Sequence, residues 1–203
     1  MNGLKRVREG YSERVGRTRT YCEPPLVAVR RGAIAGAVGT AAMTAYQLAV
    51  IKARGSEPSR APAEVAKRIL RGVFQRDVPE DKTELLNNGM HWTYGTGWGI
   101  FYGIVAPSLP GSPVRNGIAL GLLVWGASLV ELPAMKIAPP VWETPPREVV
   151  LDASYHLVYG VAVALAYQPI ALKSAYSRTE GGSDDERNRR RLRARPPRRR
   201  VGR

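Results

Sequence analysis

Charge vanishes from the chain over three long stretches. No Lys, Arg, Asp or Glu occurs in residues 32–51, 85–114 or 153–172, and each stretch holds at least twenty residues. About 20 residues of α-helix cross a hydrocarbon core of roughly 30 Å. A helix in water rarely stays uncharged that long, because one face must meet solvent. A further apolar run, 114–135, carries Arg115 at its start and Glu131 near its end, followed by Pro133. The pattern predicts an all-α integral membrane fold with four transmembrane helices, at about 27–51, 88–107, 114–135 and 149–172. These spans make up a membrane domain over residues 26–173.

The connections are polar and unequal. Residues 55–88 are long enough to hold an element of their own. Within them, 61–75 has helical periodicity, with Val65, Ile69 and Val73 on one side and Glu64, Lys67, Arg68 and Arg71 on the other. Pro62 suits a first helical turn. Such a basic amphipathic helix can lie on a bilayer surface or pack on the protein's own loops, and the sequence leaves both open. A tight turn at 110–113 joins the second and third spans, and a proline-rich loop at 138–148 joins the third and fourth.

Composition adds orientation. The chain has 31 Lys and Arg against 17 Asp and Glu, a formal charge of +14. Eight of the basic residues precede Gly32 and twelve follow Leu172, so both ends are basic tails. Residues 1–25 and 174–203 have no apolar pattern able to form a core and are predicted to be disordered. Lys/Arg bias then predicts a multi-pass inner-membrane protein with both termini cytoplasmic. Arg30 and Arg31, at the start of the first span, are expected to reach toward headgroups. The partners expected are the bilayer itself and anionic headgroups at the tails. A second copy of the chain is left open, and nucleic acid would bind only non-specifically to the arginine-rich end. The lone Cys22 cannot form an internal disulfide and reads as a silent thiol. The first 25 residues hold no apolar core and predict no cleaved signal peptide.

The chain's two histidines occur in the same phrase, His91-x-x-Tyr94-Gly95 and His156-x-x-Tyr159-Gly160. Small residues accompany them: Gly32 and Gly36 in the first span, Gly117 and Gly121 in the third, and Gly95, Gly99 and Gly103 along the second. Each half then reads as a hairpin, a small-residue helix followed by an H-x-x-Y-G helix. Two spans per unit predict parallel repeats about an axis along the membrane normal. Glycines let helix backbones approach closely in lipid, where apolar burial between helices gains little. An aromatic line, Tyr94, Trp98 and Tyr102, runs beside the glycines and reads as packing, or as a stacking surface for a cofactor.

An imidazole in lipid is costly unless it has a partner. Asp152 stands one helical turn before His156, and Glu131 closes the third span. With Tyr94 and Tyr159, these residues define a candidate intramembrane cluster: His91, Tyr94, Glu131, Asp152, His156 and Tyr159. Its readings are a structural hydrogen-bond network, a site for protons or a small solute, or a metal or haem site. Against the last, no close ligand spacing is present, so no metal or cofactor is expected. Nor is there a nucleophile–base pair, P-loop or dinucleotide fingerprint, and the chain reads as a non-enzyme. The functions left are proton-linked or small-solute transport or sensing through the cluster, or a membrane scaffold whose tail binds lipid or protein.

The segment "IAPPVWETPPREVVLDASYHLVYG" (137–160) resembles the YagU-like family of bacterial inner-membrane proteins. The likeness rests on Pro139, Pro140, Val141, Trp142, Glu143, Pro145, Asp152 and His156. A similar histidine–aromatic pair, His91 and Trp92, stands in the second span. The resemblance spans about residues 114–172. It implies a multi-span membrane protein and no particular reaction.

Overall fold

The structure, a computed structural model, describes residues 25–168, and among them there are helices and turns but no strand. Five α-helices follow in order: α1 (Pro25–Arg54), α2 (Ala61–Phe74), α3 (Thr83–Val105), α4 (Pro113–Ala134) and α5 (Pro146–Gln168). Proline opens α1, α4 and α5 and stands second in α2. In the first turn its missing N–H would have had no intrahelical partner anyway. Ser112 caps α4 by accepting the Arg115 N–H. At the end of α2, Gln75 turns left-handed (φ 52°), and its N–H closes on the Leu70 carbonyl. The expectations for Cys22, for both tails and for the end of the fourth span beyond residue 168 lie outside the described residues.

Three helices, α1, α4 and α5, are long and apolar enough to cross a membrane. The sequence reading expects four. The second expected span, on α3, does not reach the same hydropathy. Five glycines, two asparagines, three threonines and His91 dilute its apolar residues. Polar and small groups serve close packing here, and α3 lies against α1 along its length.

Glycine makes that approach possible. A Cβ added to Gly36 would stand 2.9 Å from the Gly95 carbonyl oxygen and 2.9 Å from Gly99 Cα. One added to Gly103 would stand 2.6 Å from the Ala28 carbonyl oxygen. The start of α1 therefore meets the end of α3, and the two run antiparallel. α4 and α5 form a second seam of the same kind. A Cβ on Gly117 would lie 2.7 Å from both the Gly160 carbonyl oxygen and Val161 Cα, and one on Gly121 would lie 2.5 Å from the His156 carbonyl oxygen.

The two seams correspond, but with an offset. Gly36 faces Gly95, Thr96 and Gly99, whereas Gly117 faces Gly160, Val161 and Ala164, the matching positions of α5. Gly117 is thus the counterpart of Gly36, and Gly121 that of Thr40. The sequence alignment, which pairs Gly32 with Gly117, is one helical turn out.

α3 and α5 lie side by side in the same direction. Tyr159 donates its hydroxyl to the Gly95 carbonyl at 2.6 Å, and Tyr167 donates to the Gly103 carbonyl at 3.3 Å. Tyr102 and Tyr167 pack edge to face with centroids 5.7 Å apart. α1 also reaches α5, where Tyr46 and Tyr155 stack edge-on at 5.4 Å. The buried core joins Ala35, Met43, Tyr102, Leu120, Val124, Tyr159, Val163 and Ala164. Of the pair expected to reach outward, Arg30 is exposed but Arg31 is only 2% exposed. Arg31 shares the inward face of α1 with Ala28, Gly32 and Ala35.

α2 packs on the protein at one end. In its first turn Ala63 has no exposed surface, and its N–H donates to Asn87 Oδ1 at 3.1 Å. Lys67 bonds Glu80 at 3.0 Å. That ammonium holds the Glu80 carboxyl below the usual carboxylate range. The apolar end of the helix, with Ile69, Val73 and Phe74, remains exposed.

Candidate functional site

His91 and His156 occupy matching places on the parallel helices α3 and α5, and both are half-buried. Each ring is held through one nitrogen, by a different kind of acceptor. Thr44 on α1 donates its own hydroxyl hydrogen to the Thr40 carbonyl at 2.8 Å. Having no second hydrogen, Thr44 accepts from His91 Nε2, 3.1 Å away. In α5, His156 Nδ1 lies 2.9 Å from the Asp152 carbonyl oxygen, which can only accept. The partners therefore assign opposite tautomers, Nε2–H for His91 and Nδ1–H for His156. In the neutral rings this leaves a lone pair on His91 Nδ1 and on His156 Nε2. Neither nitrogen has a hydrogen-bond partner among the described residues.

The Asp152 carboxylate is shared. It accepts the indole N–H of Trp125, on α4, at 3.1 Å, and stands 3.9 Å from His156 Nδ1. Trp125 thereby fixes the carboxylate beside the ring and ties α4 to α5. Glu131, expected near the same level as His156, instead accepts the Tyr94 hydroxyl at 2.9 Å. Tyr159 is buried and turned to the Gly95 carbonyl. Direct hydrogen bonds and close approaches join the six candidate residues in small sets. His156 and Asp152 belong with Trp125, His91 with Thr44, Tyr94 with Glu131, and Tyr159 with the α3 backbone. Among the described residues no group of three or more His, Cys, Asp or Glu side chains is placed to hold a metal ion.

The glycines singled out from sequence, Gly32, Gly36, Gly95, Gly99, Gly103, Gly117, Gly121 and Gly160, all face another helix closely. The aromatic line divides. Tyr94 and Trp98 meet edge-on at 6.1 Å, and Trp98 also meets Phe101 at 5.6 Å, whereas Tyr102 is buried against α5.

Sequence reasoning missed Thr44 and Trp125, the groups on neighbouring helices that serve the histidine sites. It also missed Tyr167, and with it the match between Tyr167 and Tyr102, for which a signal was present. Both stand seven residues after the glycine of H-x-x-Y-G, so the shared phrase is H-x-x-Y-G followed by a tyrosine two turns on.

Residues 73–165 match a family model described as "Protein of unknown function (DUF1440)". The matched segment contains α3, α4, most of α5, both histidines, Glu131 and Asp152. The YagU-like resemblance seen in residues 137–160 is consistent with that family. No curated protein and no solved structure matches the chain.

Proposed function

We propose, on the premise that residues 73–165 make the chain a member of that family of unknown function, that it is a four-span inner-membrane protein that takes up and releases protons through His91 and His156. Proton-linked transport or sensing follows from that exchange. α3 supplies the fourth span, with His91 held by Thr44 of α1 and its Gly95, Gly99 and Gly103 set against α1 and α5. Both tails face the cytoplasm, on the side with the larger number of basic residues.

The observation that supports this reading most directly is the holding of each imidazole. One nitrogen is fixed by a hydrogen bond, and the other is left to accept a proton. Imidazole is the side chain whose ordinary range spans neutral pH. Two open grooves lie on the outside of the bundle, one along Trp92–Ile100 and one where α1 meets α5, and neither is lined by a histidine. That favours protons over a larger solute as the species handled.

The test is imidazole nitrogen NMR on the full chain in nanodiscs. With pH varied across neutrality, both rings are expected to show the neutral and the charged form, with His91→Gln and His156→Gln each removing one signal while thermal stability holds. Rings that keep one protonation state throughout that range would rule the reading out.

The close seams favour a second reading, a membrane scaffold whose basic tails engage anionic lipid or protein. Tyr159 and Tyr167 tie α3 to α5 through backbone carbonyls, which suits a rigid bundle. In that case the rings stay inert and both glutamine variants melt earlier than the parent.

A further inference from the structure

A groove of about 310 Å³ opens where the end of α1 meets the beginning of α5, lined by Tyr46, Arg54, Arg147, Val150, Leu151 and Ser154. Its chemistry is uneven in an informative way. Arg54 is engaged, since both of its terminal nitrogens grip Glu148, one of them at 3.1 Å. Arg147 has no hydrogen-bond or ion-pair partner among the described residues. Ser154 gives its hydrogen to the Leu151 carbonyl at 2.6 Å. It lies 3.4 Å from the Tyr46 hydroxyl, long for a bond between two oxygens. The Tyr46 O–H is therefore available to an acceptor in the groove.

Two guanidinium groups and one carboxylate leave the groove a single net positive charge. The first turn of α5 adds the positive end of a helix dipole. Depth narrows the occupant further. The uncharged run of α1 ends at Ile51, and that of α5 starts at Ala153, Asp152 being the last charge of α5, its carboxylate turned to the Trp125 indole of α4. The groove thus straddles the boundary between charged and apolar sequence on both helices. The lining joins Arg147 and the Tyr46 hydroxyl with the apolar Leu151 and Val150, the latter 69% exposed.

We propose that this groove binds an anionic phospholipid. Its phosphodiester is held by Arg147 and the Tyr46 hydroxyl, and an acyl chain lies along Val150 and Leu151. One phosphate matches the one uncompensated cation, and a guanidinium suits phosphate oxygens by geometry as well as by charge. The apolar lining gives a lipid something that a free phosphate cannot use. The inference rests on α1 and α5 spanning the bilayer, which extraction with alkaline carbonate checks separately.

The test is native mass spectrometry of the full chain in detergent, with short-chain phosphatidylglycerol, short-chain phosphatidylcholine or inorganic phosphate added. Phosphatidylglycerol should be retained in a one-to-one complex. Arg147→Gln should lower its occupancy about tenfold, the scale of one lost charge-assisted contact, and Tyr46→Phe should lower it less. Arg76→Gln removes an exposed charge elsewhere and should change nothing, so the tail's own attraction for anionic lipid cancels from the comparison. Arg147 is exposed and makes no hydrogen bond or ion pair among the described residues, so the variant should melt with the parent. Equal retention of phosphatidylcholine, displacement by inorganic phosphate, or unchanged occupancy in Arg147→Gln would each overturn the proposal.

Discussion

Two glycines two residues apart on α3 show how much a single hydrogen atom decides. Gly99 faces α1 so closely that an added Cβ would overlap Gly36 Cα and come within 2.6 Å of the Gly32 carbonyl oxygen. Gly97 has nothing within 4 Å of the same position. Gly99→Leu should therefore destabilise the bundle by about 3 kcal/mol through overpacking, while Gly97→Leu should be tolerated. Thermal unfolding in detergent checks the contrast, and equal melting of the two variants would mean that the seam does not set stability. At this scale the sequence was informative about identity and poor about partnership. The repeated phrase picked out both histidines and their tyrosines. It could not show that Thr44 and Trp125 complete the sites, because a hydroxyl and an indole on other helices leave no mark in the spacing of α3 or α5. Glu131 was assigned to the histidine level from its place in the chain, but the long arms of Glu131 and Tyr94 let them meet instead.

Among the elements, the limits of the helices were legible because charge and proline mark them. The amphipathic segment expected at 61–75 is α2, Ala61–Phe74. The register between the halves was not legible. Glycines repeated every four residues look the same when one helix slides by a turn, so Gly32 or Gly36 could equally have been matched to Gly117. Contacts across the seam decide it. The shortfall of α3 in hydropathy has a related cause, since the groups that let it pack closely are those that lower its apolar score. The link between α2 and the turn at Glu80–Lys82 carries its own prediction. Hydrogen bonding to Lys67 lowers the folded-state value of Glu80. The contribution of this pair to stability is therefore present above the ordinary glutamate range and is lost as pH falls through the lowered value. In carboxyl NMR, Glu80 should titrate below a free glutamate, and Lys67→Gln should return it toward the ordinary range. A Glu80 midpoint that ignores Lys67 would show that the pair does not form in solution.

For the whole molecule, the four crossings proposed above would put the tails on one side and the connection holding α2 opposite. Reporter fusions after Ser174 should report the cytoplasm, and fusions near Ala61 the other face. A common side for both would remove α1 as a span, and with it the paired-hairpin arrangement. The offset between the two seams bears on how such a molecule is put together. Hairpins with interchangeable seams would invite mispairing while the second emerges from the ribosome, since α1 could settle against α5 as readily as against α3. Their keys differ. Thr40 presses its side chain against Gly95, whereas the matching place on α4 is Gly121, where even one added carbon would meet the His156 carbonyl oxygen at 2.5 Å. A helix bearing a threonine there cannot take α4's seat on α5. Each half thus carries its own key to its partner helix.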